Sequence, residues 1–118
     1  MYRDEILDLY KNPRNEGKLE TKYRAEGENT SCGDHTEISL KIENNKVKNI
    51  KHVTDGCAIS TAANSVLTEE LKGMKTEKVK QLDKNWITNK LGIELSPMRL
   101  KCATLGLRTT QKALEKDS

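Results

Sequence analysis

The segment TEISLKIENNKVKNIKHVTDGC, residues 36–57, decides the fold of this 118-residue chain. Between Thr36 and Glu43, apolar residues alternate with polar ones, which is the period of a half-buried β-strand. The pair Asn44-Asn45 predicts a two-residue hairpin turn, because asparagine tolerates positive φ angles. The return strand carries its apolar residues at Val47, Ile50 and Val53. This spacing breaks the alternation once and indicates a β-bulge in an antiparallel hairpin.

Further elements are predicted on both sides of the hairpin. A helix precedes Pro13, and a weak strand covers residues 22–26. The predicted elements after the hairpin are a long helix from Gly56 to Gly73, short helices at 79–82 and 86–91, and a last helix begun by Ser96 and Pro97. Strands followed by helices predict a small α+β domain, with helices on one face of an antiparallel sheet. At this length we expect residues 1–118 to form a single domain.

The composition excludes several classes of function. Charged residues make up 33% of the chain and hydrophobic residues 34%, and the formal net charge is only +3. This balance gives no strong signal for binding nucleic acid or a membrane surface. No apolar run is long enough for a signal peptide or a membrane span, so we expect a cytoplasmic protein. In that compartment thiols stay reduced, and the three cysteines are predicted to be ligands or nucleophiles rather than disulfides.

The cysteines are placed where elements begin or end. Cys32 and Asp34 lie two residues apart, and in an extended chain such residues point to the same side. Cys57 falls at the start of the long helix, where partial positive charge favours a thiolate. Cys102 lies near the start of the last helix but off its apolar stripe, so it need not be a core residue. We therefore expect a site whose three thiols are all accessible from solvent. The alternative is that the cysteines simply fill the core, as free cysteines often do.

Three thiolates and one carboxylate suit two kinds of metal centre. A tetrahedral zinc ion could take all four donors, and a two-iron cluster also needs four protein ligands. The Asp34 carboxylate is a harder ligand than a thiolate, so it should form a weaker and more exchangeable corner. Such a corner suits temporary storage of a cluster better than permanent electron transfer.

Four segments carry a resemblance to a known family. They are LDLYKNPRNEGKL at residues 7–19, SCGD at 31–34, GCAISTAANSVLTEELKG at 56–73 and KCATL at 101–105. In these segments the chain resembles the IscU/NifU-type iron–sulfur cluster assembly scaffolds, SufU-like relatives included. The resemblance implies a SufE/NifU-like α+β fold, in which helices pack on one face of a three-stranded antiparallel sheet.

The same resemblance implies a site and its partners. Cys32, Asp34, Cys57 and Cys102 would hold a 2Fe-2S cluster, a cysteine desulfurase would supply sulfur as a persulfide, and acceptor apo-proteins would take the cluster. The protein would then be a scaffold and not itself an enzyme. The alternative is a zinc-bound sulfurtransferase-type persulfide acceptor that stimulates the desulfurase. A structural zinc module is a third hypothesis, and the sequence leaves open whether the protein is a homodimer.

The chain departs from the scaffold pattern at Lys101. Many scaffolds have histidine at this position, whereas SufU-like proteins have lysine. Yet the 44 residues between Cys57 and Cys102 leave no evident room for the insertion of the zinc-dependent branch. We expect Lys101 to offset the charge of an anionic cluster or bind a persulfide, or to be a solvated charge. With Lys101 beside it, Cys102 is predicted to be the persulfide acceptor, and the sequence leaves open which cysteine takes sulfur first.

A second departure is LSPMR at residues 95–99. Some scaffolds carry Leu-Pro-Pro-Val-Lys there, which an Hsp70-type chaperone reads. Leu95 and Pro97 match this motif and Ser96 does not, so a plain helix cap explains the segment as well. Of the two histidines, His35 should face away from Asp34, and His52 is expected on the surface because it lies in a lysine-rich strand.

Overall fold

The computed structural model describes residues 3–117 and contains one antiparallel sheet of three strands in the order β1-β2-β3. The strands are β1 (Tyr23–Asn29), β2 (Asp34–Glu43) and β3 (Lys46–Asp55). The helices are α1 (Arg3–Lys11), α2 (Ala58–Leu71), α3 (Thr76–Gln81), α4 (Lys84–Leu91) and α5 (Pro97–Leu114), followed by a 3₁₀ turn at Glu115–Asp117. The predicted α+β architecture is therefore confirmed. Among the described helices, none combines the length and apolar character needed to cross a membrane.

The β2–β3 hairpin forms as the sequence predicts. Asn44 and Asn45 have φ angles of 55° and 61°, so both occupy the left-handed region that a two-residue turn of this kind requires. The pairing shifts between Lys41, which faces Asn49, and Ile42, which faces Val47. Residue 48 is consequently the extra residue of the predicted β-bulge.

The core lies between the sheet and the two long helices. Ile38, Leu40 and Ile50 of the sheet are fully buried and cluster with apolar residues of α2 and α5. Helix α1 packs separately on α2, through Ile6 and Leu9. These contacts bring the N-terminal ends of α2 and α5 to the end of the sheet where β2 begins.

Strand β1 is longer than the predicted segment 22–26 and ends at Asn29. Glycine, glutamate and asparagine are poor strand formers, so local propensity hides its second half. Packing against α5 explains why this part is a strand. Gly27 lies so close to α5 that a Cβ at this position would collide with Thr109 Oγ1. The extension pairs Asn29 with Asp34, the first residue of β2.

His52 is fully buried, and the expectation that it lies on the surface is wrong. After the bulge the alternation resumes, so that Ile50 and His52 share the inner face while Val53 turns to the other face. The His52 Nε2 lies 2.8 Å from the carbonyl oxygen of Arg14, and Nδ1 lies 2.8 Å from Thr54 Oγ1. A carbonyl only accepts, so Nε2 carries the proton and the Thr54 hydroxyl donates to Nδ1.

The buried neutral His52 predicts a stability that falls on acidification. Burial lowers the pKa of His52 below its usual value of 6.5, although the hydrogen bond to Arg14 and the charge of Glu16 act in the opposite direction. The unfolded chain therefore takes up a proton at a higher pH than the folded chain does. The free energy of unfolding should be fully retained above pH 6.5 and should decline as the pH falls through the folded-state pKa.

Urea unfolding at several pH values between about 7.5 and about 5 measures this decline, since histidine is the side chain that ordinarily titrates there. The matched control is His35→Gln, which removes the other, more exposed histidine and should leave the pH dependence unchanged. His52→Gln should flatten it. If instead His35→Gln flattens the curve and His52→Gln does not, the pH dependence comes from His35 and its assignment to His52 is wrong.

Candidate functional site

Four segments meet at one end of the sheet. Cys32 lies in the turn between β1 and β2, Asp34 opens β2, Cys57 caps the N-terminus of α2, and Cys102 lies early in α5. The ligand atoms of Cys32, Asp34 and Cys102 all lie within 4.8 Å of one another. Cys57 borders this group, with its Sγ 4.0 Å from Asp34 Oδ2. The structure therefore brings the four residues singled out in the sequence to one place.

The turn at residues 30–33 brings Cys32 to Asp34. Gly33 has a φ of +72°, a conformation that strains any residue with a Cβ. Cys32 is thus in a turn rather than in a strand, and the turn sets its position. Its Sγ lies 3.0 Å from Cys102 Sγ.

Asp34 is held by the start of α2. Its side chain is only 2% exposed, and Oδ1 accepts a hydrogen bond of 3.0 Å from the backbone N–H of Cys57. Gly56 allows this approach, because a Cβ there would collide with Oδ1 and lie 2.9 Å from Cγ of Asp34. Cys57 Sγ in turn accepts from the backbone N–H of Ser60 at 3.4 Å, as expected for a cysteine at a helix N-terminus.

Cys102 is only 1% exposed, so the expectation that all three thiols are accessible from solvent is wrong for Cys102. It does lie off the apolar stripe of its own helix, but other elements of the site cover it. Burial raises the pKa of the Cys102 thiol well above its usual range, and hydrogen bonds with Asp34 and Cys32 act in the same direction. Cys32 and Cys57 are half-buried, and the Lys101 side chain is exposed. Access from solvent therefore differs among the three thiols.

Asn29 is a site residue that the sequence interpretation missed. Its side chain is 7% exposed, and its Nδ2 lies 3.4 Å from Cys32 Sγ and 3.9 Å from Cys102 Sγ. Residues directly opposite in an antiparallel pair face the same side of the sheet. Had the predicted strand been extended from residue 26 to residue 29, Asn29 would have been the residue opposite Asp34 and thus a candidate for the site.

His35 faces away from the site, as predicted. It follows Asp34 in β2, and its Nε2 lies 3.5 Å from Oε1 of Glu26. His35 therefore stands apart from the donors that the structure gathers.

The donor set fits a soft metal centre. Three sulfur atoms and one carboxylate converge, and thiolates favour zinc and iron–sulfur clusters over hard cations such as magnesium. A cation among these donors would also compensate the negative charge that burial makes unfavourable at Cys102.

The fold and this site define a class of small α+β proteins that gather cysteines and one aspartate at the end of a three-stranded sheet. Residues 1–117 match the model of the NifU-like N-terminal domain, and the chain belongs to this family.

Two curated relatives and one crystal structure are similar over nearly the whole chain. The zinc-dependent sulfurtransferase SufU of Bacillus subtilis is 31% identical, and the match covers 99% of this chain and 91% of the relative. The iron–sulfur cluster assembly scaffold protein IscU 1 of Archaeoglobus fulgidus is 33% identical over 97% of this chain and 74% of the relative. A putative iron–sulfur cluster assembly scaffold protein for the SUF system from Fervidobacterium islandicum AW-1 superimposes with a TM-score of 0.78 at 29% identity, over 96% of each chain.

Gly56→Ala should damage the site through steric overlap. The new methyl group would displace the Asp34 carboxylate and break its hydrogen bond with the Cys57 N–H. We expect a loss of about 1–3 kcal/mol in the free energy of unfolding and a drop of about 10-fold or more in zinc affinity. Thermal unfolding of the metal-free protein and competition with a zinc chelator measure the two effects.

Gly73→Ala is the matched control, since Gly73 has a φ of +82° and open space around its Cα. It should lose about 1 kcal/mol of stability through backbone strain and keep its zinc affinity. Equal zinc affinity in the two variants would show that Gly56 does not position Asp34.

Proposed function

We propose that this protein is a scaffold for de novo iron–sulfur cluster assembly. It receives sulfur from a cysteine desulfurase, binds iron and passes a 2Fe-2S cluster to acceptor proteins. The observation that carries this proposal is the convergence of three thiols and one buried carboxylate at the end of the sheet. The IscU relatives, which are named as cluster assembly scaffolds, support it.

The cluster is the cargo, and four residues would hold it. Cys32, Cys57 and Cys102 supply thiolates, which bind iron firmly, and Asp34 supplies the harder carboxylate. Asp34 is fixed by the Cys57 N–H, so it is available without rearrangement. A weaker bond at this corner gives the cluster a place to begin its exchange with an acceptor.

Sulfur would enter through a thiol that a partner can reach. Cys32 is more exposed than Cys102, and their sulfurs lie 3.0 Å apart. A persulfide formed on Cys32 could pass its outer sulfur to Cys102. The Cys102 sulfur attacks the outer sulfur, the S–S bond at Cys32 breaks, and the Cys102 proton passes to the departing Cys32 sulfur, which leaves Cys32 as a thiol and Cys102 as the persulfide. Cys102 thus keeps its predicted role as a persulfide acceptor, with Cys32 as its source.

A zinc-bound sulfurtransferase function is the second candidate. Lys101 before the third cysteine and the similarity to the zinc-dependent SufU favour it. The same four donors also suit one tetrahedral zinc ion. In this case the protein would accept persulfide sulfur and stimulate the desulfurase without building a cluster.

The remaining expectations about partners and location stay proposals. The segment at residues 95–99 begins α5, where Ser96 Oγ accepts from the Arg99 N–H at 3.3 Å, so the cap function predicted for it is present. Recognition of this segment by an Hsp70-type chaperone stays an alternative to the plain cap, a cytoplasmic location stays a prediction, and the homodimer stays open.

The decisive experiment is anaerobic reconstitution with a cysteine desulfurase, free cysteine and ferrous iron. The protein should develop the visible absorption of a 2Fe-2S cluster and contain iron and sulfide in equal amounts. It should then transfer this cluster to an acceptor apo-protein. Tightly held zinc that persists through reconstitution, with persulfide transfer but no cluster, would instead establish the sulfurtransferase.

Asp34→Cys should slow the release of the cluster. The substitution replaces the mismatched oxygen by a fourth thiolate, so the cluster should keep its two-iron spectrum and survive several-fold longer against a chelator. Asp8→Cys is the control, because it adds a thiol on the exposed face of α1, away from the site. Unchanged rates of chelation and transfer in Asp34→Cys would remove Asp34 from the ligand set.

A further inference from the structure

We propose that Asn29 is a positioning residue of the sulfur site, whose side-chain amide donates hydrogen bonds to the sulfurs of Cys32 and Cys102. This inference rests on the proposed metal- and sulfur-binding role of the cysteines. It adds to the four donors a fifth residue that contacts sulfur but does not bind the metal.

The placement of Asn29 supports this role. It is the last residue of β1 and pairs with Asp34, so the two side chains face the same end of the core. Its backbone carbonyl accepts from the N–H of Cys32 at 3.2 Å, which closes the turn at residues 30–33. The main chain and the side chain of Asn29 therefore both hold Cys32.

The chemistry of an amide suits this position. An asparagine Nδ2 carries two N–H groups, and the two sulfurs lie 3.4 Å and 3.9 Å from it. A buried amide is unfavourable unless it is hydrogen-bonded, and its burial here is accounted for by these sulfurs. The amide is neutral at every relevant pH, so it donates without competing for protons or binding a cation through nitrogen.

The charge of the site gives these N–H groups a function. Three thiolates and one carboxylate carry four negative charges, which a divalent cation only half compensates. Hydrogen bonds to a charged acceptor are stronger than neutral ones, so donors aimed at sulfur gain strength when the thiolates form. Cys102 gains most, because its burial disfavours an uncompensated charge.

The test measures metal binding directly and needs no assembly activity. Metal-free protein is titrated with Co²⁺, whose tetrahedral thiolate complexes absorb in the visible and near-ultraviolet. The variants are Asn29→Leu, which keeps the volume but removes both donors, Asn29→Gln, which keeps an amide, and the control Glu28→Gln at the exposed neighbouring position. Thermal unfolding of each metal-free variant identifies any that does not fold.

We expect Asn29→Leu to bind Co²⁺ about 10- to 100-fold more weakly than the natural protein, the range seen when such outer partners of a metal ligand are removed. Its sulfur-to-cobalt charge-transfer band should move to longer wavelength, because sulfur without N–H donors gives up electron density more easily. Asn29→Gln should restore part of both effects, and Glu28→Gln should show neither. A purely structural role for Asn29 would not move the band.

A second measurement uses the unaltered protein, in case Asn29→Leu does not fold. In NMR spectra of the metal-free form, the side-chain amide protons of Asn29 should exchange with water far more slowly than those of exposed Asn89. Equal exchange rates, or unchanged Co²⁺ affinity and band position in a folded Asn29→Leu, overturn the role of Asn29 and leave the proposed function standing. Failure of the natural protein to form a cobalt–thiolate complex overturns the proposed function itself.

Discussion

The hydrogen bond from the Cys57 N–H to Asp34 is the interaction on which the site depends. Asp34 opens β2 and Cys57 caps α2, so one bond of 3.0 Å joins the sheet to the helix where the donors gather. A buried carboxylate without partners would be unfavourable, and this N–H satisfies one of its oxygens. Gly56 leaves the carboxylate room. The second cysteine is placed beside the aspartate as a direct result.

The hairpin and the order of the helices could be predicted because their signals are local. Alternation at residues 36–43, the pair Asn44-Asn45 and the cap at Ser96 each act within a few residues. His52 shows where this reasoning ends. The lysines around His52 suggested an exposed position, but the bulge at residue 48 shifts the phase of the strand and turns His52 to the inner face with Ile50. The register with β2, which a single strand does not contain, decides which residues turn inward.

The four candidate donors could be singled out from the sequence, but their surroundings could not. The cysteine and aspartate positions follow from sequence spacing and from the family resemblance. The burial of Cys102 and the contact made by Asn29 arise where β1, the 30–33 turn and α5 meet. Such contacts join residues 70 or more positions apart. No periodicity within one element reports them, because the covering atoms belong to other elements.

The unequal anchoring of the four donors has a consequence for the order in which bonds break. Asp34, Cys57 and Cys102 belong to the ends of a strand and two helices, so moving any of them would disturb the core. Cys32 stands on a four-residue turn whose other residues, Thr30, Ser31 and Gly33, are exposed. Cys32 is therefore the one thiol that could be displaced with little change elsewhere in the fold. If the proposed cluster first loosens at the Asp34 carboxylate, Cys32 would be the next ligand to let go, while Cys57 and Cys102 hold it last.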